Sequence, residues 1–561
     1  MTVSTHTYTA ILQPGTPLRI KGGRITVDEA AAPHVQATLT IAVPAQAVLA
    51  VLDPRLSPPP RVTITASAAF PWTTQTRTFD LTVRGGEVRH AAGEVVLTLS
   101  SDEGLLQDAA PLADDEKAFA LSSSLRAVVN SVLGRIGATL QPGATDANVR
   151  PYVSTTNLIP DPSVEGGGGI YTAANATVDR SDTSWSATGT RCLNIYAPTS
   201  TDSYVAVGGD GGGMRLGMTA GRSYVVSATG RVKIGYPVGG AAGPNARRLV
   251  AYWRVGGAYF SAQSGALSTQ PGVSSRQAIR FAIPTGATEA FIRVYNGHSV
   301  GEVQWDAFRL SEDSGDPADT DYFDGSTPAV PGLVAYAWTG TPNASTSTRT
   351  ALVSRSVESL RWRAGVSALD FVGPLVQAAG LRLVCNERRQ WTLRDDGWTA
   401  DGALAIRHAV NLIDAADAIS RSDKAWFDGC VVQYTWTDAT GATLTVTDAA
   451  SAVASPSRVI RLERSTPYPG PGLAAHFVAW AQARGREVTA TTVADWTAAA
   501  EQPVQIVVEG APTQIGKVSR VVFDLDRDEM TITARTTDTP AGAIDLLTGT
   551  IDGLTGTIDH L

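Results

Sequence analysis

The sequence predicts a mainly β chain with some α structure, divided among several domains. Three observations predict it. At 561 residues the chain is too long for one hydrophobic core. Its 54 glycines and 31 prolines punctuate short apolar runs rather than long helical ones. From Asn157 to about Ser347 the composition shifts to Gly, Ser, Thr, Asn and aromatic residues, between two flanks of ordinary mixed character. That shift reads as one domain inserted into another. The expected divisions are a β-barrel plus helix over 1–156, an inserted β-sandwich over 157–311 and a return linker over 312–350. An α+β segment with a second β-barrel follows over 351–540, then a heptad tail over 541–561.

Charge and cysteine content exclude several classes of function. A net charge of −8 argues against a protein built to hold nucleic acid, which would need a basic face. Cys192, Cys385 and Cys430 lie far apart with no C-x-x-C pair, which argues against a zinc knuckle, a redox motif and reliance on disulfides. Met1 to Ile20 lacks the basic and apolar regions of a signal peptide, and no run reaches the roughly 20 apolar residues of a membrane span. The chain is expected to be made in a reducing cytoplasm.

The first 150 residues alternate at period two in Tyr8–Leu12, Ala37–Val43, Arg61–Thr65, Phe79–Arg84 and Glu94–Leu99. Arg84-Gly85-Gly86-Glu87 reads as a hairpin loop. A helix follows, with caps available at Ser122 to Ser124. Its apolar stripe comprises Leu125, Val128, Val129, Val132, Leu133 and Ile136, and Gly137 stands at its end.

Inside the compositional shift, strand-like pieces recur at 191–196, 203–207, 223–228, 248–253, 278–283, 290–295 and 303–310, with glycine-rich loops and no helix. Stacking on a sugar face needs exposed aromatic rings, with amides and carboxylates to read hydroxyls. The candidates are Trp185, Tyr204, Tyr236, Trp253 and Tyr259, of which Trp253 is expected to be buried on its strand and Trp185 exposed. The Gly208–Gly213 run opens no helix and reads as a flexible loop.

In the last third, Ser367-Ala368-Leu369-Asp370 starts a helix that carries Pro374 and stops at Gly380. A hairpin, Leu381–Cys385 to Gln390–Arg394, comes next. A further helix spans about Gly472 to Arg484. Ile544, Leu547, Ile551, Leu554, Ile558 and Leu561 form a heptad seam, weakened as a lone helix by Gly549, Gly553 and Gly556.

Several of these phrases resemble known families. Asn157-Leu158-Ile159-Pro160-Asp161-Pro162-Ser163-Val164-Glu165 resembles the first strand of galactose-binding-like jelly rolls, the carbohydrate-binding modules of many glycosidases. Val303–Leu310 resembles their last strand. The resemblance implies a structural calcium shared by Glu165 and Asp306, an oxygen-only pair of the kind calcium takes. Tyr322-Phe323-Asp324-Gly325-Ser326-Thr327-Pro328, followed by Trp338-Thr339-Gly340-Thr341-Pro342-Asn343-Ala344-Ser345-Thr346-Ser347, resembles minor tail proteins of phages infecting Actinobacteria.

The 367–394 unit and the run Ala418–Tyr434 resemble tail-hub proteins of long-tailed phages. There a strand enters a second barrel, completed in this chain by 504–508 and the hairpin 519–535.

The resemblance implies a structural protein of the virion tail tip, a baseplate hub in a homotrimer. Its partners would be distal tail protein, tape measure and downstream minor tail proteins, with the jelly roll contacting host cell-surface glycan. Heptads with Ile and Leu in alternation favour a dimer, so threefold symmetry rests on the resemblance alone. No G-x-S-x-G, H-E-x-x-H or P-loop is present and the seven histidines are scattered, so no enzyme is expected. The alternatives are a tail-borne glycan-degrading enzyme and a peripheral receptor-binding protein.

Overall fold

The computed structural model describes residues 4–538 except 168, 419–425, 439–440, 483–485 and 512. The heptad tail and most of the 418–425 run lie outside the described residues. The fold is mainly β, 44% strand and 11% helical, with several sheets. Two compact units divide the chain. One joins the residues up to Val149 with those from Glu358 onward, and the other is Arg150–Val357.

In the larger unit, strands from both ends of the chain run into one sheet of thirteen among the described residues. The junction is an antiparallel pairing of Ile20–Asp28 with Gln514–Asp524, from Arg24 opposite Asp524 to Asp28 opposite Arg520. Alternation puts Ile25 and Val27 on the same buried face as Val521 and Phe523. Phe523 stacks on Trp496 at 4.5 Å, and Phe79 meets both rings edge-on, so the two sequence halves share a single core.

Arg84–Glu87 is not a loop. Thr73–Arg89 is one continuous strand in which a bulge between Val83 and Gly85 absorbs an extra residue. The chain turns afterwards at His90–Ala92, closed by Gly93 at φ 65°.

Helices Leu125–Leu133 and Ala368–Ala378 pack together beside that sheet. They are capped by Ser124, which accepts from Ala127 N, and by Ser367, which accepts from Asp370 N. Pro374 sits within the second helix. The hairpin Arg382–Cys385 and Trp391–Arg394 completes this cluster.

The expected second barrel is assembled differently. Gly429–Thr437 does not join 503–507 or 514–538. It is the middle strand of a separate sheet, antiparallel to Thr443–Ser451 and parallel to Val459–Arg464. Helix Leu473–Gln482 covers that sheet, and its first turn donates Gly472 N and Ala474 N to the Asp448 carboxylate. A helix of its own lets the small sheet bury Tyr434 and Trp436 without the large one.

The inserted unit is a sandwich of two five-stranded sheets. One orders Thr177–Asp182, Cys192–Tyr196, Val303–Glu312, Ser223–Val232 and Ser275–Ala282; the other orders Ala258–Gln263, Leu249–Val255, Glu289–Tyr295, Tyr204–Val207 and Tyr171–Ala174. Trp305 fills the centre, and Gly230 opposite it has no room for a side chain, because a Cβ there would lie 2.7 Å from the indole.

The inbound segment is not a strand of the sandwich. Only Thr155–Asn157 is extended, and it pairs with Ser347–Ala351, which pairs with Val334–Trp338. Residues 158–165 instead cap the core with Ile159 and Val164.

Residues 312–350 are likewise not an open linker. They cover the outer face of the first sheet, where Asp319, itself fully buried, accepts from Arg309 at 2.9 Å and Arg349 at 3.1 Å. Both guanidiniums lie over the Phe323 ring. Burial alone would raise the Asp319 pKa, but the Ser314 hydroxyl and Arg309 hold it below the usual value.

Replacing Asp319 by Ala strands two buried cations, so a loss of about 3–5 kcal/mol is expected in chemical denaturation. An unchanged unfolding midpoint would show that this ion triad does not hold the return segment.

Candidate functional site

Period-two alternation sorts the aromatic residues of the inserted unit before any ligand is considered. On Leu249–Val255, the residues Leu249, Ala251, Trp253 and Val255 face the sandwich core, whereas Tyr252 and Arg254 face outward. Trp253 accordingly stacks on Phe281 inside the sandwich at 6.1 Å. On Glu289–Tyr295, the residues Ala290, Ile292 and Val294 face inward, so Glu289, Phe291, Arg293 and Tyr295 share the outward face with Tyr252. Tyr204 joins them from the next strand, and Tyr259 from the edge strand opposite Arg254.

Arg293 organises that face. Its guanidinium lies 4.0 Å from the Tyr204 ring centre and 4.9 Å from those of Tyr252 and Phe291. It grips Asp210 bidentately, Nε to Oδ1 at 2.8 Å and Nη2 to Oδ2 at 3.0 Å. Tyr204 donates to the same carboxylate at 2.7 Å; burial and that bond push its hydroxyl up to about 12. The hydroxyls of Tyr252 and Tyr295 pair at 2.9 Å, and Asn245 Nδ2 donates to Tyr252 at 2.9 Å.

A second carboxylate, Glu289, accepts from Arg254 at 2.8 Å, from the exposed Tyr259 hydroxyl at 2.9 Å and from Gly212 N at 2.9 Å. These bonds, Arg254 first, hold its pKa below the usual carboxylate value. The Gly208–Gly213 run is therefore a wall of this face rather than an unattached loop. Gly212 at φ 67° adopts a backbone that favours glycine, and it aims its N–H at Glu289.

The face thus offers a half-buried ring, Tyr252, and an exposed one, Tyr259 at 54% exposure, beside two carboxylates and two guanidiniums fixed by mutual bonds. Such an arrangement can stack on the C–H face of a sugar and read its hydroxyls.

The other predicted residues lie elsewhere. Trp185, expected to be exposed, is half-buried on the outer face of the opposite sheet, because the Arg231 guanidinium lies over its ring at 4.8 Å. Tyr236 is exposed in a turn, with the Lys233 ammonium 5.2 Å from its ring centre. Sequence reasoning missed Tyr252, Phe291, Arg293, Asp210 and Glu289. The alternation Glu289-Ala290-Phe291-Ile292-Arg293-Val294-Tyr295 carries the signal for three of them.

Glu165 and Asp306, the pair for which the resemblance implies calcium, are close enough for their charges to interact, and each is engaged by hydrogen-bond donors. Asp306 Oδ2 already accepts from Ala187 N and Thr188 N, and Oδ1 from Ala307 N. Glu165 Oε1 accepts from Thr190 N and Arg191 N, and Oε2 from the Thr190 hydroxyl. Among the described residues, no three His, Cys, Asp or Glu side chains converge as metal ligands. The pair instead pins the 186–191 loop. Burial raises Asp306 from 3.8 to about 7 despite its N–H donors, and the neighbouring Glu165 charge adds to the rise.

No family model matches the chain, and no curated protein matches it. Solved structures similar to it include a tail protein from Neisseria meningitidis MC58, with 8% identity over 95% of this chain and 97% of that one at a TM-score of 0.34. The prophage MuSo2 43 kDa tail protein from Shewanella oneidensis also shares 8% identity, over 94% of this chain and 96% of that one, at 0.34. The family 22 carbohydrate-binding module of Clostridium thermocellum Xyn10B shares 15% identity over 29% of this chain and 94% of that module at 0.22. At these scores the likenesses carry no argument about function.

Asp306 gives a pH signature. Its folded pKa lies above its unfolded one, so the folded state binds the extra proton and stability falls as pH rises from about 4 to about 7. The span corresponds to roughly 4 kcal/mol. Urea unfolding of Asp306→Asn should lose that slope relative to the unsubstituted chain; parallel pH profiles would show that Asp306 keeps an ordinary pKa. Added calcium should leave both midpoints unchanged.

Proposed function

We propose that this chain is a structural protein of a phage tail tip whose inserted unit binds host cell-surface glycan, by adhesion and not by turnover. The observation that carries the binding reading is the outward face built on Arg293, where Tyr252 and Tyr259 stand beside the Asp210 and Glu289 carboxylates. A structural protein has little use for an ordered aromatic and ionic face unless something rests on it. The two ends of the inserted unit also lie side by side, Asn157 opposite Ser347, as a module placed within a host fold requires. The tail reading is supported by the tail-protein phrases of 322–347 and the helix–hairpin unit of 367–394. In it the larger unit assembles as a homotrimeric hub with the distal tail protein, the tape measure and downstream minor tail proteins, and the inserted unit faces the cell envelope.

Titration of host cell-wall polysaccharide against the full chain tests the reading. Tyr259→Ala should weaken binding about tenfold, the equivalent of about 1.4 kcal/mol, while Trp185→Ala on the opposite sheet leaves it unchanged. The reverse pattern would move the site to the other face. Release of soluble sugar during the titration would replace adhesion by hydrolysis.

A further inference from the structure

The aromatic face of the inserted unit carries a guanidinium, Arg215, that no carboxylate among the described residues neutralises. Arg293 is held by Asp210 and Arg254 by Glu289, and Arg215 stands beside both pairs without joining either. The backbone puts it there. Met214 bridges Ala290 in parallel and packs against the sandwich core, so alternation turns its neighbour Arg215 outward. Arg215 N donates to Ala290 O at 2.8 Å, on the residue that follows Glu289. The side chain then bends back over the glycine run, where Nε donates to Gly211 O at 2.8 Å and Nη2 to Asp210 O at 3.4 Å. Asp210 is the carboxylate that Arg293 grips, and Gly212 N is a donor to Glu289, so the guanidinium lies within a residue of both pairs.

The remaining donors of Arg215 are unused. Nε and one hydrogen of Nη2 are taken by carbonyls, which leaves both hydrogens of Nη1 and the second of Nη2. Those stand along the end of the planar fork, an edge that takes an oxyanion through two parallel bonds. The side chain is half-buried rather than enclosed, and Nη1 meets no acceptor among the described residues. Arginine keeps its charge at every physiological pH, and a cation set among pairs already neutralised attracts an anion.

We propose that the glycan held on this face is acidic and that Arg215 binds its charge, either a uronic-acid carboxylate or a phosphodiester between sugars. The inference rests on the glycan-binding reading of the same face and adds the ligand's charge to it. Tyr259 supplies an exposed ring for a sugar to stack on, and the Arg215 fork selects a sugar or linkage that carries an oxyanion. A neutral glycan leaves that fork to water. The net charge of −8 repels an acidic polymer from the chain as a whole, so a local cation is what admits one here.

The test titrates host cell-wall polysaccharide against the full chain in three forms. One is untreated, one is carboxyl-reduced with carbodiimide and borohydride, and one is freed of phosphodiesters with cold hydrofluoric acid. The untreated polymer should bind about tenfold more tightly than at least one treated form, as the loss of a charge-assisted hydrogen-bonded pair requires. Weakening on carboxyl reduction assigns the anion to a uronic acid, and weakening on acid treatment assigns it to a phosphodiester. Arg215→Gln should weaken binding of the untreated polymer about tenfold and leave binding of the neutralised form unchanged. Equal binding of all three forms overturns the inference and leaves the glycan reading standing. So does an Arg215→Gln chain that loses charged and neutralised polymer alike, because the side chain then only supports the glycine run. Absence of binding by the untreated polymer removes the glycan reading itself, and the inference with it.

Discussion

One amide holds the inserted unit closed. Asn157 is fully buried, and its Nδ2 donates to the carbonyls of Phe308 and Phe323, both at 3.1 Å. Its Oδ1 accepts from Ile159 N at 3.2 Å and Leu310 N at 3.1 Å. Two carbonyls on one side and two N–H groups on the other fix which way the amide points. Those four bonds tie the inbound segment, the last sandwich strand and the return segment at one point. An apolar residue of the same size would leave four buried backbone groups unpaired, each worth about 1–3 kcal/mol. The cap made by Ile159 and Val164, the bulge at Ala307 and the packing of Phe323 under Arg309 all lie within a few residues of that amide.

The larger unit solves a different problem. A chain interrupted by some two hundred residues must still form one core, and it does so by pairing its first part with its last. Antiparallel ladders make no demand on sequence separation; the closure entropy of a long loop grows only slowly with its length. Ile20–Asp28 therefore pairs over Arg24–Asp28 with Gln514–Asp524 on one side and with its near neighbour Val35–Ala42 on the other. The folded insert, whose own ends are paired, shortens that loop in effect. Buried charge in this unit follows the same economy. Asp102 is held by Arg61 and by Arg389, Glu387 by Arg77 and Glu29 by Arg535, so carboxylates from one half of the chain neutralise guanidiniums from the other, while Glu501 is held within the second half by Arg382 and Arg394.

The two faces of each sandwich sheet show how one periodicity serves stability and binding together. Inward residues are apolar and pack around Trp305. Outward residues of the second sheet are tyrosines, Phe291 and paired ions, which satisfy one another and leave Tyr259 exposed. On the first sheet the same outward positions, Ser227, Arg309 and Ser311, are buried by the return segment. The face built on Arg293 thereby remains open, with aromatic rings on it.

Much of this was legible in the sequence, because strand alternation and cap residues act over a few positions. The β content, the sandwich strands of the insert, the Ser367 and Ser124 caps, and the inward orientation of the half-buried Trp253 all follow from local pattern and side-chain chemistry. What the sequence could not decide is which strands meet. Alternation says that Gly429–Thr437 is a strand, but not that it leaves the large sheet for its own helix. Nor does it say that 312–350 folds back, since the attraction of Arg309 and Arg349 for Asp319 needs all three in one place. The carboxylates of Glu165 and Asp306 are paired in the sequence only by the jelly-roll resemblance. Only the tertiary structure sets the backbone N–H groups of the 186–191 loop against them. Residue type and period determine what a segment can become; the partners brought to it across hundreds of residues determine what it does.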